Sequence, residues 1–180
     1  MTALHGVQAL QSIVPQGETI EVTTDSEALK LALRQLAGGV SVIAAGEGNE
    51  RTGATVTSAT ALSVEPPRML VLLNRTSSTW PVIERFGHFS VNILGREHED
   101  IANRFAGRGG LKGPDRYQGA EWTTLSSGAP VLAGGLASVD CVLEEGIERH
   151  SHVIVIGRAV AIRSRAGASL AYRDGRYAVV

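Results

Sequence analysis

The sequence predicts a mainly β protein, an antiparallel barrel with helices inserted singly. Two observations carry this. Strand-length runs recur at residues 40–45, 52–58, 69–74, 89–94, from 136 onward, at 153–162 and near 177–180, and they outnumber stretches of helical period. The helices between them do not alternate strictly with strands, as a doubly wound sheet would require. The 180 residues, 43% hydrophobic and 19% charged, have the balance of one globular domain. A chain of this size buries roughly 70% of its unfolded surface, enough to hold without a disulfide.

Residues 1–23 alternate small, polar and apolar types without a period and read as an extension or arm, leaving 24–180 as the domain. Thr24 and Glu27 stand at capping-box spacing ahead of Ala28, Leu29, Leu31, Ala32, Leu33 and Leu36, an amphipathic helix closed by Gly38-Gly39. Residues 40–45 and 52–58 form strands around a turn at 46–49. Pro66-Pro67 ends a loop, and 69–74 reads as a buried strand. Ser78 starts a short helix with Pro81 in its first turn and Gly87 at its end. After the strand at 89–94, residues 97–106 are helical, with Ile101, Ala102 and Phe105 on one face. Residues 107–117 hold too many glycines to support an element and read as a mobile or ligand-shaped loop. A strand at 122–125 follows. Next comes a long strand from Leu136, in which Ala137, Val139, Cys141 and Leu143 alternate with Ser138, Asp140 and Glu144. The strand at 153–162 is apolar on both sides.

Charge and composition exclude several classes. A formal net charge of −1 argues against a polyanion-binding surface, so nucleic acid is not an expected partner. Cys141 is the sole cysteine, which fits a reducing compartment. The first twenty residues hold no Lys or Arg and no long apolar run, so no secretory signal is expected. The apolar runs fall far short of the ~20 residues of a membrane helix. The expectation is a soluble, cytoplasmic protein.

Nucleotide signatures fail. Gly46-Glu47-Gly48 has Arg51 where a third glycine belongs, and Gly107-Arg108-Gly109 has Lys112 there. The informative stretch is 53–67, with hydroxyls at Thr55, Thr57, Ser58, Thr60 and Ser63. Short hydroxyls and backbone N–H groups suit a phosphate and the edge of a planar heterocycle, although Ser and Thr also decorate solvent-facing strands. A second polar cluster, Asn74-Arg75-Thr76-Ser77-Ser78-Thr79, runs into a helix start, where anions bind readily; a simple Ser cap beside a solvated arginine is the plainer reading. In His150-Ser151-His152 both imidazoles are expected on one strand face, as a structural pair or with His152 facing a ligand. No metal site is expected, because further ligands are scattered. Cys141 reads as a small buried hydrophobe and not a nucleophile. Trp80, Trp122 and Phe105 read more readily as core than as cofactor-stacking residues.

Taken together, these segments resemble the short-chain flavin reductase family, whose fold is the FMN-binding split β-barrel. Gly38-Gly39-Val40 with Val42 and Ile43 looks like the family's opening strand. Gly53, Thr55, Ser58, Ser63 and Pro66-Pro67 match its Gly-x-Thr-x-x-Ser…Ser…Pro-Pro segment, and Phe89-Ser90-Val91-Asn92-Ile93-Leu94 its Phe-x-Val-Asn-x-Leu strand. Phe105 precedes its variable loop, His152 with Gly157 matches its His-x-x-x-x-Gly strand, and Asp174-Gly175-Arg176-Tyr177 its C-terminal motif. There are departures: His150-Ser151 stands where Gly-Asp is frequent, and Ala178 where a histidine often follows.

The resemblance implies an NADH- or NADPH-dependent flavin reductase with FMN, or else FAD, as flavin. It implies a homodimer that supplies reduced flavin to a flavin-dependent monooxygenase component. Thr55, Val56, Thr57 and Ser58 would line the flavin, with Phe105 also at the cofactor. Asn74, Arg75, Ser77, Ser78 and Thr79 would take the phosphate end, and His152 the nicotinamide face. Arg108 and Lys112, in a loop covering that site, would meet the nicotinamide pyrophosphate. Rival readings are a reductase of the same fold with a dedicated acceptor such as a cobalt corrinoid precursor, a non-catalytic flavin-binding module, and a pyridoxamine-phosphate-oxidase-like protein.

Overall fold

The computed structural model describes residues 22–180. Most of the expected arm at 1–23 lies outside the described residues. The chain divides into two units, 1–33 and 34–180.

In the first unit, α1 spans Ser26–Leu33. Its N-terminus is capped by Asp25, not by the Thr24 and Glu27 pair: Asp25 Oδ1 accepts from the backbone N–H groups of Glu27 and Ala28, both at 2.8 Å. These bonds, the one from Ala28 foremost, hold the Asp25 carboxyl below its usual range. The helix ends at Leu33, well short of Gly38-Gly39.

The second unit holds β1 (Gly38–Gly39), β2 (Ser41–Ala45), β3 (Thr52–Val56), β4 (Thr60–Ser63), β5 (Arg68–Asn74), α2 (Thr79–Phe86), β6 (His88–Ile93) and α3 (Glu99–Phe105). Then come β7 (Trp122–Thr124), β8 (Pro130–Leu132), β9 (Ala137–Arg149), β10 (His152–Ser164), β11 (Leu170–Arg173) and β12 (Arg176–Val179). Seven strands form one antiparallel sheet in the order β3-β2-β6-β9-β10-β5-β4. Strands β1, β11 and β12 form a second sheet, and β7 with β8 a third.

The large sheet is open, with β3 and β4 at its edges, yet these strands are consecutive in the chain. A linker of residues 57–59 reaches at most roughly 14 Å, at about 3.6 Å per residue. The two edges are therefore held close and the sheet curls almost shut. This is the split of the barrel, and Ser58 bridges it by donating to the Leu72 carbonyl of β5 at 2.9 Å.

All five residues of β2 are buried. Successive strand side chains point to opposite faces, so both faces need cover. Ile43 packs in a core with Val71, Phe89, Val155 and, from α2, Trp80 and Ile83. Val42 packs in a second core with Leu132 and Leu170 and, from α3, Ile101, Ala102 and Phe105. The two helices thus seal opposite faces, which is why each carries an apolar stripe. Trp80 is a core residue, as expected: its indole lies where a Cβ on Gly146 would stand, 2.1 Å away.

Several expectations are corrected. Gly38-Gly39 is not a helix end but strand β1, paired with Ala171 and Tyr172. The strand at 69–74 is buried only on alternate residues, with Leu72 39% exposed. The strands β4, β8 and β11 were not expected; they are three or four residues long, and β4 carries a bulge. His150 is not on a strand face. It sits in the hairpin turn joining β9 to β10 with φ 50°, so the two imidazoles do not share a face. The segment 107–117 is anchored at its C-terminal end. Gly113–Tyr117 is a 3-10 turn, and Tyr117 is buried with its hydroxyl donating to the Thr52 carbonyl. Among the described residues no helix is long and apolar enough to cross a membrane.

Candidate active site

A cleft of about 510 Å³ opens at the split, within the usual size of small-molecule sites. Thr55 and Val56 of β3 and Thr57 and Ser58 of the linker contribute to it, with Leu72, Leu73 and Asn74 from β5. Ser77, Phe105, Ala106, Arg116 and His152 complete it. Eight of the eleven residues predicted from sequence meet here: Thr55, Val56, Thr57, Ser58, Asn74, Ser77, Phe105 and His152. The fold explains why residues so distant in sequence converge. Linker 57–59 closes the split, and antiparallel pairing of β5 with β10 sets His152 opposite Asn74.

Hydrogen bonds fix most of these groups. Thr55 Oγ1 donates to the Ala102 carbonyl at 2.7 Å and so ties β3 to α3. Asn74 Oδ1 accepts from Thr76 N at 2.9 Å and Thr76 Oγ1 at 2.8 Å, folding residues 74–76 into a turn and leaving the amide N–H₂ uncommitted. Ser77 Oγ accepts from Thr79 N at 3.2 Å and keeps its own proton to give. His152 Nδ1 lies 2.9 Å from Ser151 Oγ. Phe105 is buried beneath Gly53: a Cβ there would meet the Ile43 carbonyl oxygen as well as the ring, the latter at 2.7 Å, so no larger residue fits without displacing them.

Three predicted residues stand elsewhere. Arg75 pairs with Glu148 at 2.8 Å and donates to the His150 carbonyl, so it braces the β9–β10 turn. Ser78 lines a neighbouring cleft of about 540 Å³ with Thr76, Ser77, Arg51, Lys112 and Arg116. Thr79 is fully buried, and its hydroxyl has no hydrogen-bond partner. Arg108 and Lys112 do not converge. Lys112 lines that neighbouring cleft. Arg108 lines an extension of about 230 Å³ on the other side, with Tyr172 and Tyr177, which meet edge to face at 5.2 Å. Burial raises the Tyr177 phenol and Arg108 opposes it, leaving a neutral hydroxyl at neutral pH.

Sequence reasoning missed Arg116. Its Nε donates to the Leu111 carbonyl at 3.0 Å and its Nη1 to the Gly53 carbonyl at 2.5 Å, and no carboxylate pairs with it among the described residues. A guanidinium held by backbone carbonyls, lining both the split cleft and its neighbour, is a fixed positive charge. The available signal was an arginine beside a large aromatic at the end of a glycine-rich segment, where a solvated loop would have placed neither. Cys141 is fully buried, and burial pushes its thiol up to about 12, so it stays protonated and inert, as expected.

Comparison with known proteins agrees with this geometry. The sequence pattern of the flavin reductase like domain matches residues 33–180. The chain is 36% identical over 165 residues to the FMN reductase (NADH) RutF 2 of Methylorubrum extorquens, covering 88% of this chain and 95% of that one. It is 31% identical over 169 residues to HsaB, the reductase subunit of a flavin-dependent monooxygenase of Rhodococcus jostii, covering 93% and 85%. The fold superposes with a TM-score of 0.79 on the NADH:FAD oxidoreductase SgcE6 of Streptomyces globisporus, solved with NAD and FAD fragments, at 25% identity over 88% of this chain and 96% of that one. The sequence matches at Gly53, Thr55, Ser58 and Asn92, the split-barrel sheet and the cleft at its split have one explanation: the chain belongs to the flavin reductase like domain family.

Proposed function

We propose that this protein oxidises NADH and reduces FMN in the cleft at the barrel split, and that the reduced flavin serves a monooxygenase component. The observation that carries the reading is the convergence of Thr55, Val56, Thr57, Ser58, Asn74, Ser77 and His152 on one cleft beside the Arg116 cation. The donor set fits the cofactor. Hydroxyls and an amide with spare hydrogen-bonding capacity suit the polar edge of an isoalloxazine and a phosphate, and Leu72 and Leu73 offer apolar contact to a planar ring.

Bound flavin supplies the redox chemistry by accepting a hydride from the nicotinamide. The chain supplies position and charge. Thr55 to Ser58 would hold the ring edge through backbone and hydroxyl groups, those of Thr55 and Ser58 fixed in orientation by their bonds to the Ala102 and Leu72 carbonyls. Arg116 places positive potential beside the cleft and would stabilise negative charge on a flavin held there. Asn74 and Ser77 would hold the ribityl and phosphate end, with Ser78 on the adjoining cleft. His152, at the rim, would orient the nicotinamide. Phe105 acts from below, as floor.

The reading extends to a homodimer working in the cytoplasm, where reduced nicotinamide is at hand. On the outer face of the sheet Ile147 pairs with Ile154, Ile154 with Leu72 and Ile156 with Leu70, and none of these side chains is buried. Leu72 also lines the cleft. An apolar sheet face continuous with a ligand cleft is stabilised by a second copy covering both.

The test follows absorbance of reduced nicotinamide with purified protein, with and without FMN or FAD. Flavin-dependent turnover is expected, faster with NADH than NADPH; absence of turnover with either flavin overturns the reading. Light scattering should give a dimer mass. Leu72→Asp should give a monomer with FMN affinity lower by about tenfold, since a buried carboxylate costs more than 1.4 kcal/mol.

A further inference from the structure

The split cleft does not stand alone. Ser77 and Arg116 line both it and the neighbouring cleft of about 540 Å³, so the two openings adjoin at these residues. Arg51 and Thr52 bring the start of β3 to the neighbouring cleft, and Lys112 and Arg116 bring the 3-10 turn Gly113–Tyr117. The two segments pack directly. Arg116 donates to the Gly53 carbonyl, and a Cβ on Gly113 would lie 3.7 Å from the Arg51 carbonyl oxygen.

Three cations therefore line one opening. None of Arg51, Lys112 and Arg116 pairs with a carboxylate among the described residues. Glu50 lines the same cleft, but Arg85 holds it at 2.7 Å, so its charge is compensated and the wall stays positive. Lys112 is solvent-exposed, so its ammonium is free to turn onto a ligand. Ser78 Oγ and Thr52 Oγ1 lie 3.2 Å apart on the same wall, and the one bond between them leaves one hydroxyl proton to give. Like charges gathered without counter-charge repel one another, and a polyanion relieves them.

We infer that this cleft holds the adenylate half of FAD, so that the protein binds the dinucleotide more tightly than FMN. The inference rests on the proposed placing of the flavin phosphate at Asn74 and Ser77. FMN ends at that phosphate and leaves Lys112 without an anion. FAD continues past it with a second phosphate for Lys112 and a purine, to which Val82 and Pro114 offer apolar contact. Reduced nicotinamide cofactors also carry an adenylate. Their ring is assigned to His152, which lines the split cleft and not this one, whereas the residues common to both clefts belong to the flavin's phosphate end.

Fluorescence titration of the purified protein should give a Kd for FAD at least about tenfold below that for FMN, with the ratio shrinking as salt rises. Lys112→Gln should cut the ratio about threefold to fivefold, the range of one exposed charge pair, while the Kd for FMN stays within about twofold and so reports a folded variant. Adenosine monophosphate needs no variant. At up to about 10 mM it should weaken FAD binding and leave riboflavin, which has no phosphate, bound as before. Equal affinity for FAD and FMN overturns the assignment, as does displacement of riboflavin as readily as of FAD. A Lys112→Gln variant with a raised KM for NADH and an unchanged flavin ratio also overturns it, and would give the cleft to the nicotinamide cofactor. Failure of both flavins to bind would sink the reading of the split cleft itself, whereas turnover with equal affinity for the two sinks this inference alone.

Discussion

Ser90, Asn92, Ser138 and Asp140 sit on β6 and β9 at the middle of the large sheet and are among its most deeply buried side chains. Thr57, Ser58, Asn74 and Ser77 lie around its split, in the linker from β3 to β4, at the end of β5 and in the loop after it, and are the same kinds of residue. In the middle the polar atoms are bonded to the protein. Asn92 Nδ2 donates to the Val42 carbonyl at 3.2 Å and to Ser90 Oγ at 2.8 Å, and its Oδ1 accepts from Leu132 N and Ser138 Oγ, both at 2.9 Å. Asp140 accepts from the Ser127 backbone N–H at 2.7 Å and from its hydroxyl. Around the split Ser58 spends its proton on the Leu72 carbonyl, but the other groups keep capacity to spare: the Asn74 amide protons, the Ser77 proton and the uncompensated charge of Arg116. Hydroxyl and amide content is therefore a poor guide to a binding site. What separates the two regions is unspent hydrogen-bonding capacity beside an opening. The buried set stitches residues 127–132 onto the sheet; the set around the split awaits a ligand.

The sharpest way to break that contrast is Asn92→Ala. Four bonds end on this one side chain, and removing it leaves buried partners unsatisfied at about 1–3 kcal/mol each, partly relieved by relaxation. A loss of about 3–5 kcal/mol in chemical denaturation is expected, with FMN affinity of the folded fraction within about twofold of wild type. A stable variant with lost flavin binding would mean that Asn92 belongs to the site and that the two regions are not distinct.

Arg116→Gln probes the other side. It should raise the Kd for FMN by about tenfold or more while costing about 1–3 kcal/mol of stability, because it takes a donor from the carbonyl of the buried Gly53. Fluorescence titration at low and high salt reads it: the gap between wild type and variant should shrink as salt rises. Arg116→Lys should recover part of the affinity. A variant that lost stability but kept its affinity would return Arg116 to the scaffold.

The two regions were not equally legible in the sequence. The edge strand β3 shows a regular run, and Thr55 to Ser58 are consecutive, so local pattern places them. Ser77 and His152 join them only through the β5–β10 register, which the motif order implied and periodicity alone does not. β4 escaped because Thr60–Ser63 is short, bulged and rich in hydroxyls that read as ligand groups. β8 escaped because it begins at a proline, and β11 because its run is four residues long. His150 was misplaced because a histidine at positive φ is uncommon and nothing in His-Ser-His announces a turn. Arg116 is invisible to any local rule: its role comes from Gly53, sixty-three positions away. The Asn92 network was legible as a strand but not as a network, since its partners lie 40–50 residues off.

The smallest expected effect concerns the turn that follows β6 and its dependence on pH. His98 Nδ1 accepts from the Gly95 backbone N–H at 3.1 Å and so closes the 3-10 turn Arg96–His98, close to Gly134. A protonated ring has no acceptor at that nitrogen. Desolvation holds the His98 imidazole below its usual range, against the pull of Glu97 and with Arg165 acting in the same sense as burial. The folded pKa is thus depressed below the unfolded one. Its contribution is present in full above the unfolded value of about 6.5 and is lost as pH falls through the folded value. Wild type should therefore lose stability relative to His98→Gln on going from about pH 7.5 to about pH 5.5, and by less than the other two substitutions cost. Thermal melts of both proteins across that window read the difference. If the gap between them stayed constant with pH, the His98 ring would not be the acceptor that closes the turn.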